Sequence, residues 1–195
     1  MIATDWRRYN IRNCRYPFPF SAELISTDPC LWEYQRPALH SWEWDLGTVN
    51  ILIPTWYRMN GTSCPRHAYS IVDPIASLIG SGLHDLLYET QCGLRPFRIW
   101  KPTGGYDLVQ LLDAVTHQPI PFLSNNCPAD DTMDRLRARA DAVMRCFWHT
   151  ANMHWTDVNT GYCIVRAAGG GAWQSEEPPL EECPILPAQT GRLLE

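Results

Sequence analysis

Residues 75–88 read IASLIGSGLHDLLY, and this stretch decides how the rest of the chain can pack. Its apolar residues recur at helical spacing, which predicts a helix over Ile75–Tyr88 with one buried face. Gly80 and Gly82 lie inside this helix, where each costs about 1 kcal/mol relative to alanine. Glycines in such a position indicate that another backbone comes close to the helix.

A second amphipathic helix is predicted over Asp130–Trp148, where Asp130 or Asp131 can serve as the N-terminal cap. An unbroken apolar stripe runs along it at three-four spacing: Met133, Leu136, Ala140, Val143 and Phe147. A third helix is predicted over Thr156–Ala168, stopped by the glycines 169–171.

Alternating apolar residues predict strands elsewhere in the chain. Leu39–Leu46 and Thr48–Ile53 flank a turn at residues 45–47 and are predicted to form a hairpin. A second hairpin is predicted from Tyr106–Leu112 and Pro119–Leu123, joined by a turn over 113–118. The N-terminal region contains one predicted short strand near Glu23–Ile25. The expected fold class is α+β: a small antiparallel sheet of hairpins packed on two or three helices.

The expected organisation is a single domain with an arm at each end. Residues 1–37 are predicted to be an irregular N-terminal arm, because prolines are scattered among aromatic residues there. Residues 38–173 form the α+β domain, with an inserted hairpin region at 91–130. Residues 174–195 are rich in proline and glutamate, a composition with no fold of its own. We expect such arms to become ordered against their own domain or a neighbouring chain.

Composition excludes several classes of protein. The chain has 195 residues, 45% of them hydrophobic, and a formal net charge of −5, which disfavours a nucleic-acid partner. No apolar run approaches the roughly 20 residues that a membrane span needs. Residues 1–10 are polar, so no signal peptide is predicted and we expect synthesis in a cytoplasm.

Eight cysteines are spread along the chain, and no two lie close enough in sequence for a zinc ribbon or a dithiol redox motif. One interpretation is that they are buried thiols acting as small hydrophobic residues. The other is that they form disulfides after the protein leaves the reducing cell. Eight cysteines allow roughly a hundred complete pairings, so the sequence does not predict which would pair.

One predicted cluster of polar residues has the side chains that metal binding or acid–base catalysis requires. If the first two helices pack together, His84, Asp85 and Asp141 meet, and Ser63 is a possible fourth member. A histidine with two carboxylates can bind a divalent metal or perform acid–base catalysis. The structural interpretation is favoured: a buried His–Asp hydrogen bond fixes how two helices pack, and Tyr88 bonds to the loop at Asn60–Gly61.

Two other histidines lie close together near the end of the second predicted helix. His149 and His154 lie five residues apart, which is not the spacing of a zinc-protease motif. We predict that they lie in a turn between two helices.

Four motifs occur in an order that resembles a known family. They are residues 53–65, the pattern His84-Asp85-x-x-Tyr88, residues 137–141 with Ala140-Asp141, and residues 162–166 followed by glycines. Together they resemble the phage and prophage domain-of-unknown-function family 1353 over residues 45–173. The resemblance implies a phage origin, establishes no activity, and marks five residues as structural motif positions: Asn60, Ser63, Pro65, Tyr88 and Arg166. Asn60 stands where that family has an aspartate, and Trp56-Tyr57 stand in place of its Gly-Phe.

Three functions remain open at this point. The first is a structural or accessory component of a bacteriophage virion, in the tail, baseplate or neck, bound to other phage structural proteins or to copies of itself. The second is a metal-assisted hydrolase of cell wall or another host polymer, with His84, Asp85 and Asp141 as catalytic or metal-binding residues. The third is a small host-takeover protein that binds a bacterial target. The first would place the chain in the virion.

Overall fold

The structure is a computed structural model and describes residues 10–16, 20–27, 30–44, 47–60, 74–120, 133–151 and 153–163. Helices and small antiparallel sheets pack around a main hydrophobic core, with a second, smaller hydrophobic cluster at residues 144–162, which confirms the predicted α+β class. No helix in these ranges is long and apolar enough to cross a membrane.

Ten of the helices and strands in the described residues have the following bounds along the chain. In order they are β1 (Arg12–Arg15), β2 (Ala22–Thr27), β3 (Cys30–Tyr34), β4 (Ala38–Trp44), β5 (Gly47–Ile53), β6 (Arg58–Met59), α1 (Pro74–Glu89), β7 (Phe97–Trp100), β8 (Tyr106–Val109) and α2 (Met133–Thr150). A third helix, α3, covers residues 155–163. The described strands form three antiparallel sheets, in the orders β1-β4-β5, β2-β3-β6 and β7-β8.

The first predicted hairpin is confirmed as β4 and β5. Trp42 pairs with Val49 in the ladder, and both side chains are fully buried. Alternate residues of each strand face the core because side chains in a strand point to opposite faces. This hairpin gives the helices an apolar surface on which to pack.

The N-terminal region differs from its prediction as an irregular arm with one strand. Its described part contains β1, β2 and β3, so the expected strand near Glu23 is one of three, and it pairs with β3. β1 is hard to recognise because its pairing with β4 is irregular between Arg12 and Arg15, and Asn13 has a positive φ of 51°. An alternating pattern fails where a strand contains such an irregularity.

The second hairpin differs from its prediction, because one of its strands has a different partner. β8 pairs with β7, whereas the sequence paired it with residues 119–123. The predicted turn over 113–118 is present: Asp113 accepts hydrogen bonds from the backbone N–H groups of Val115 and Thr116, and a bridge joins Leu112 to Pro119. The carboxylate of Asp113 also accepts a bond from the N–H of Asn50, which ties the turn to β5.

Helix α1 lies between α2 and the sheet that contains β3 and β6. A Cβ built on Gly80 would lie 2.6 Å from Cδ1 of Trp148 and 2.9 Å from the carbonyl oxygen of Met144, both in α2. A Cβ on Gly82 would overlap the hydroxyl of Tyr34 and the sulfur of Met59. The two glycines therefore permit close packing on both sides of the helix, as the sequence indicated.

Several predictions fall outside the described residues. They concern the cap at Asp130 or Asp131, the glycines 169–171, the arm at 174–195 and the far end of the third helix.

The glycine packing yields a stability prediction. Gly80→Ala should destabilise the fold by about 2 kcal/mol in chemical denaturation, because overpacking against the α2 backbone outweighs the helix propensity gained. Gly161→Ala is the matched comparison, since its Cβ would meet only the Trp148 ring, at 3.0 Å or more. Equal stability of the two variants would contradict the assigned close approach.

Candidate functional site

The candidate site lies where α1 packs against α2. Asp141 of α2 accepts two hydrogen bonds at its Oδ1 atom: one from Nε2 of His84 at 3.0 Å and one from the hydroxyl of Tyr88 at 2.5 Å. Both donors belong to α1. The predicted meeting of His84 with Asp141 is therefore present, and it joins the two longest helices among the described residues.

Asp85 completes the predicted group of three, on the other side of the imidazole. Its Oδ1 lies 3.8 Å from Nδ1 of His84, which is an ion-pair distance and too long for a hydrogen bond. The Asp85 side chain is 15% exposed, whereas that of Asp141 is 1% exposed. The two ring nitrogens of His84 thus face two different carboxylates, one buried and one near the surface.

Burial and charge act in opposite directions on His84. Burial lowers the pKa of the imidazole, but the hydrogen bond to Asp141 and the negative charges of Asp141 and Asp85 outweigh it, so the net pKa is raised above its ordinary value. The site therefore favours a protonated histidine between two carboxylates. Burial also raises the pKa of Tyr88, and the charge of Asp141 adds to the effect, so this hydroxyl keeps its proton.

The hydroxyl of Tyr88 donates a hydrogen bond to Asp141, a partner that the sequence did not predict. The predicted contact with the loop at Asn60–Gly61 stays a prediction, because that loop continues into positions outside the described residues. His84 and Tyr88 are four residues apart, so they lie on one face of α1, with ring centroids 4.0 Å apart. That spacing was a signal in the sequence for a shared acceptor. Asn60 itself is exposed.

A second row of acids and tyrosines extends along α1 toward the sheet, and sequence reasoning did not find it. Burial raises the pKa of Tyr57, with further contributions from the charge of Glu89 and a side-chain hydrogen bond to it. Burial and the charge of Asp85 likewise raise the pKa of Tyr34. Asp85 and Glu89 are four residues apart, so an acidic i, i+4 pair beside an apolar stripe was the available signal.

The geometry does not support the predicted metal site at His84, Asp85 and Asp141. Within the described part of the chain, no three His, Cys, Asp or Glu side chains are arranged to hold a metal ion. The physical reason is that Oδ1 of Asp141 receives two hydrogen bonds, and each nitrogen of His84 faces a carboxylate. Ser63, Pro65 and Arg166 lie outside the described residues.

The position of the cluster limits its chemistry. His84 is 6% exposed, Tyr88 7% and Asp141 1%, so a substrate would reach Asp85 before it reached the histidine. Groups that satisfy one another in a buried network rigidify the packing around them. The arrangement can hold a proton and fix two helices, which agrees with the structural interpretation of the cluster.

His149 and His154 lie close to the predicted turn between two helices, and His154 lies in it. His149 is in the last turn of α2, and His154 precedes α3, with its Nδ1 2.7 Å from the hydroxyl of Thr156. Burial lowers the pKa of His149, and the positive charge of Arg145 lowers it further. These residues form the connection between two helices.

Four of the eight cysteines are free thiols in the described part of the chain. Cys14, Cys92, Cys146 and Cys163 take part in no disulfide in the structure. Cys92 is fully buried in the core, as expected for a cysteine acting as a small hydrophobic residue.

Comparison with known proteins adds no family. No protein-family model matches the chain, and neither a curated protein nor a solved structure is significantly similar to it. The resemblance to the phage family therefore stays a prediction, carried by the motifs alone.

We expect the two carboxylates of this network to contribute unequally to the free energy of unfolding. Asp141→Ala should lower the free energy of unfolding by about 3 kcal/mol, because it leaves His84 and Tyr88 buried without their acceptor. Asp85→Ala should cost less than about 1 kcal/mol, since its contact with His84 is longer and partly screened by water. Urea denaturation of both variants measures the difference, and a larger loss for Asp85→Ala would refute the assigned roles.

The raised pKa of His84 sets the direction of a pH effect. Its stabilising contribution is complete below its unfolded pKa and is lost as the pH rises through the folded value. The stability difference between the native chain and His84→Gln should therefore be largest in mildly acidic buffer and shrink toward alkaline pH. Urea denaturation across this range gives the difference directly, and the subtraction removes the other histidines. A difference that grows with pH would contradict the raised pKa.

Proposed function

We propose that the chain is a structural or accessory component of a bacteriophage virion, in the tail, baseplate or neck. The observation that carries this proposal is the buried state of its most reactive cluster. His84, Tyr88 and Asp141 bond to one another between two helices, so residues suited to catalysis stabilise the packing. A phage origin is supported by the order of the four sequence motifs, each of which is short.

Exposed aromatic residues support a role in binding other proteins. Trp56, Tyr106 and Trp155 are 42%, 47% and 64% exposed. Tryptophan and tyrosine are enriched in protein interfaces, where they bury a large area at a small cost in conformational entropy. These residues are candidate contacts with other structural proteins or with further copies of the chain.

Trp56 adds a second observation of the same kind. Its φ is 67°, a conformation that is unfavourable for a bulky side chain. Its backbone is held there by hydrogen bonds to the carbonyl of Tyr34 and from the N–H of Trp100. Backbone strain at a surface position is typical of functional residues, because the surrounding structure has to maintain it. The strained turn presents an indole at the surface, which favours a binding role.

The metal-assisted hydrolase has less support from the same geometry. It requires a metal and a substrate to reach His84, Asp85 and Asp141 together. The first and last of these are nearly inaccessible, and their polar atoms bond to each other. No observation among the described residues favours this second function over the first.

The virion assignment is tested on purified particles of a phage that encodes the chain. We expect its peptides to co-sediment with infectious particles in a density gradient, at a constant ratio to a major tail protein. Quantitative mass spectrometry across the gradient measures that ratio. Finding the chain only in the host lysate, and in no particle fraction, would end the proposal.

A matched pair of variants separates the structural role from the enzymatic one. Asp85→Asn removes the most accessible charge of the cluster and should leave particle assembly and infectivity unchanged. Asp141→Ala should reduce incorporation in proportion to its loss of stability. If Asp85→Asn abolished infectivity while the chain was incorporated normally, a chemical role for the cluster would replace the structural one.

A further inference from the structure

Two thiols meet where the N-terminal strand β1 packs against α2. Cys14 of β1 and Cys146 of α2 are side-chain hydrogen-bond partners, although they are 132 positions apart in the sequence. Both are partly buried. The sulfur of Cys146 also lies 4.0 Å from the carbonyl oxygen of Ile11, and the side chain of Thr150 contacts Cys14. The two thiols therefore have defined neighbours at the edge of the core.

The two thiols are chemically different. The hydrogen bond from Cys14 lowers the pKa of Cys146 against the effect of burial, and the positive charge of Arg145 lowers it further. The same hydrogen bond, together with burial and the charge of Cys146, raises the pKa of Cys14. The thiolate is the reactive form of cysteine, so Cys146 is the nucleophile of the pair.

We propose that Cys14 and Cys146 are a redox-active dithiol that closes to an intramolecular disulfide on exposure to a small-molecule disulfide such as oxidised glutathione. The proposal rests on the side-chain contact between the two residues. β1 packs directly on α2, and the sulfur of Cys146 lies 4.0 Å from the carbonyl oxygen of Ile11, three positions before Cys14. This packing holds the two side chains next to each other, as closure to an S–S bond of about 2.05 Å requires. The inference goes beyond the proposed function and does not depend on it.

The exchange takes place in two steps. The thiolate of Cys146 attacks one sulfur of the small disulfide, forms a mixed disulfide and releases one thiolate. The sulfur of Cys14 then loses its proton and attacks Cys146, which forms the Cys14–Cys146 bond and releases the second thiolate. The two protons of the protein thiols end on the two released thiols. The protein is oxidised by two electrons, and the small disulfide is reduced by two.

The bond would fasten the least regular strand of the fold. β1 is an edge strand whose pairing with β4 contains an irregularity. Its side chains reach β4 through an exposed ion pair between Arg12 and Glu43 and a hydrogen bond from Asn13 to the same carboxylate. Exposed pairs of this kind contribute little. A covalent link to α2 would hold the strand in place outside a reducing cell, and the dithiol would persist inside one.

Peptide mapping of the unmodified full-length chain tests the proposal. The reduced chain is incubated with oxidised glutathione or with dithiothreitol, its remaining thiols are alkylated, and it is digested without reduction. We expect a peptide containing Cys14 linked to one containing Cys146 in the oxidised sample only. The melting temperature of the oxidised chain should rise on the order of 10 °C, because the bond closes a very long loop.

Three single variants give the controls. Cys14→Ser and Cys146→Ser should each remove the linkage and the rise in melting temperature. Cys163→Ser removes an exposed thiol and should retain both. The proposal is overturned if both cysteines of the pair are recovered alkylated or glutathionylated after oxidation, or if either is linked to a different cysteine. Because the mapping uses the native chain, this holds even where a variant fails to fold.

Discussion

The carboxylate of Asp141 is the interaction on which the packing of the two long helices depends. It is almost completely buried and receives hydrogen bonds from His84 and Tyr88 of the facing helix. A buried carboxylate that lost these donors would cost several kcal/mol. Apolar stripes alone would tolerate other alignments of two helices, whereas this acceptor is satisfied in one alignment only. The polar cluster therefore contributes specificity to a contact whose driving force is hydrophobic burial.

The close packing of the helices depends on two glycines of α1 as much as on the side chains that contact each other. Gly80 admits the α2 backbone, and at the same place the indole N–H of Trp148 donates a hydrogen bond to the carbonyl of Ser77 at 2.8 Å. Gly82 admits the hydroxyl of Tyr34 from the opposite side. Helix α1 is thus confined from two directions, which explains why its interior accepts two residues of poor helix propensity. The cost of each glycine is offset by packing that no larger residue would permit.

Two buried histidines illustrate that burial alone does not decide the charge of a residue. His40 lies in the core against Phe147, and burial lowers its pKa to about 4 despite hydrogen bonds to backbone. His84 is also buried, but its neighbouring carboxylates raise its pKa. The stability that neutral His40 contributes is present above its unfolded pKa and is lost as the pH falls through the folded value, the reverse of His84. Acidification therefore removes the stability that depends on neutral His40, whereas a rise in pH removes the stability that depends on protonated His84.

The sequence by itself determined the elements whose pattern is local. Both long helices, the β4–β5 hairpin and the close approach at the glycines were readable, because periodicity and glycine placement depend on neighbours a few residues away. The meeting of His84 with Asp141 followed from two such helices packing together. Tertiary structure alone decided the acceptor of Tyr88, the pairing of β1 with β4, and the contact between Cys14 and Cys146. Each of these joins segments far apart in the chain or interrupts a regular pattern, and local periodicity carries no information about distant partners.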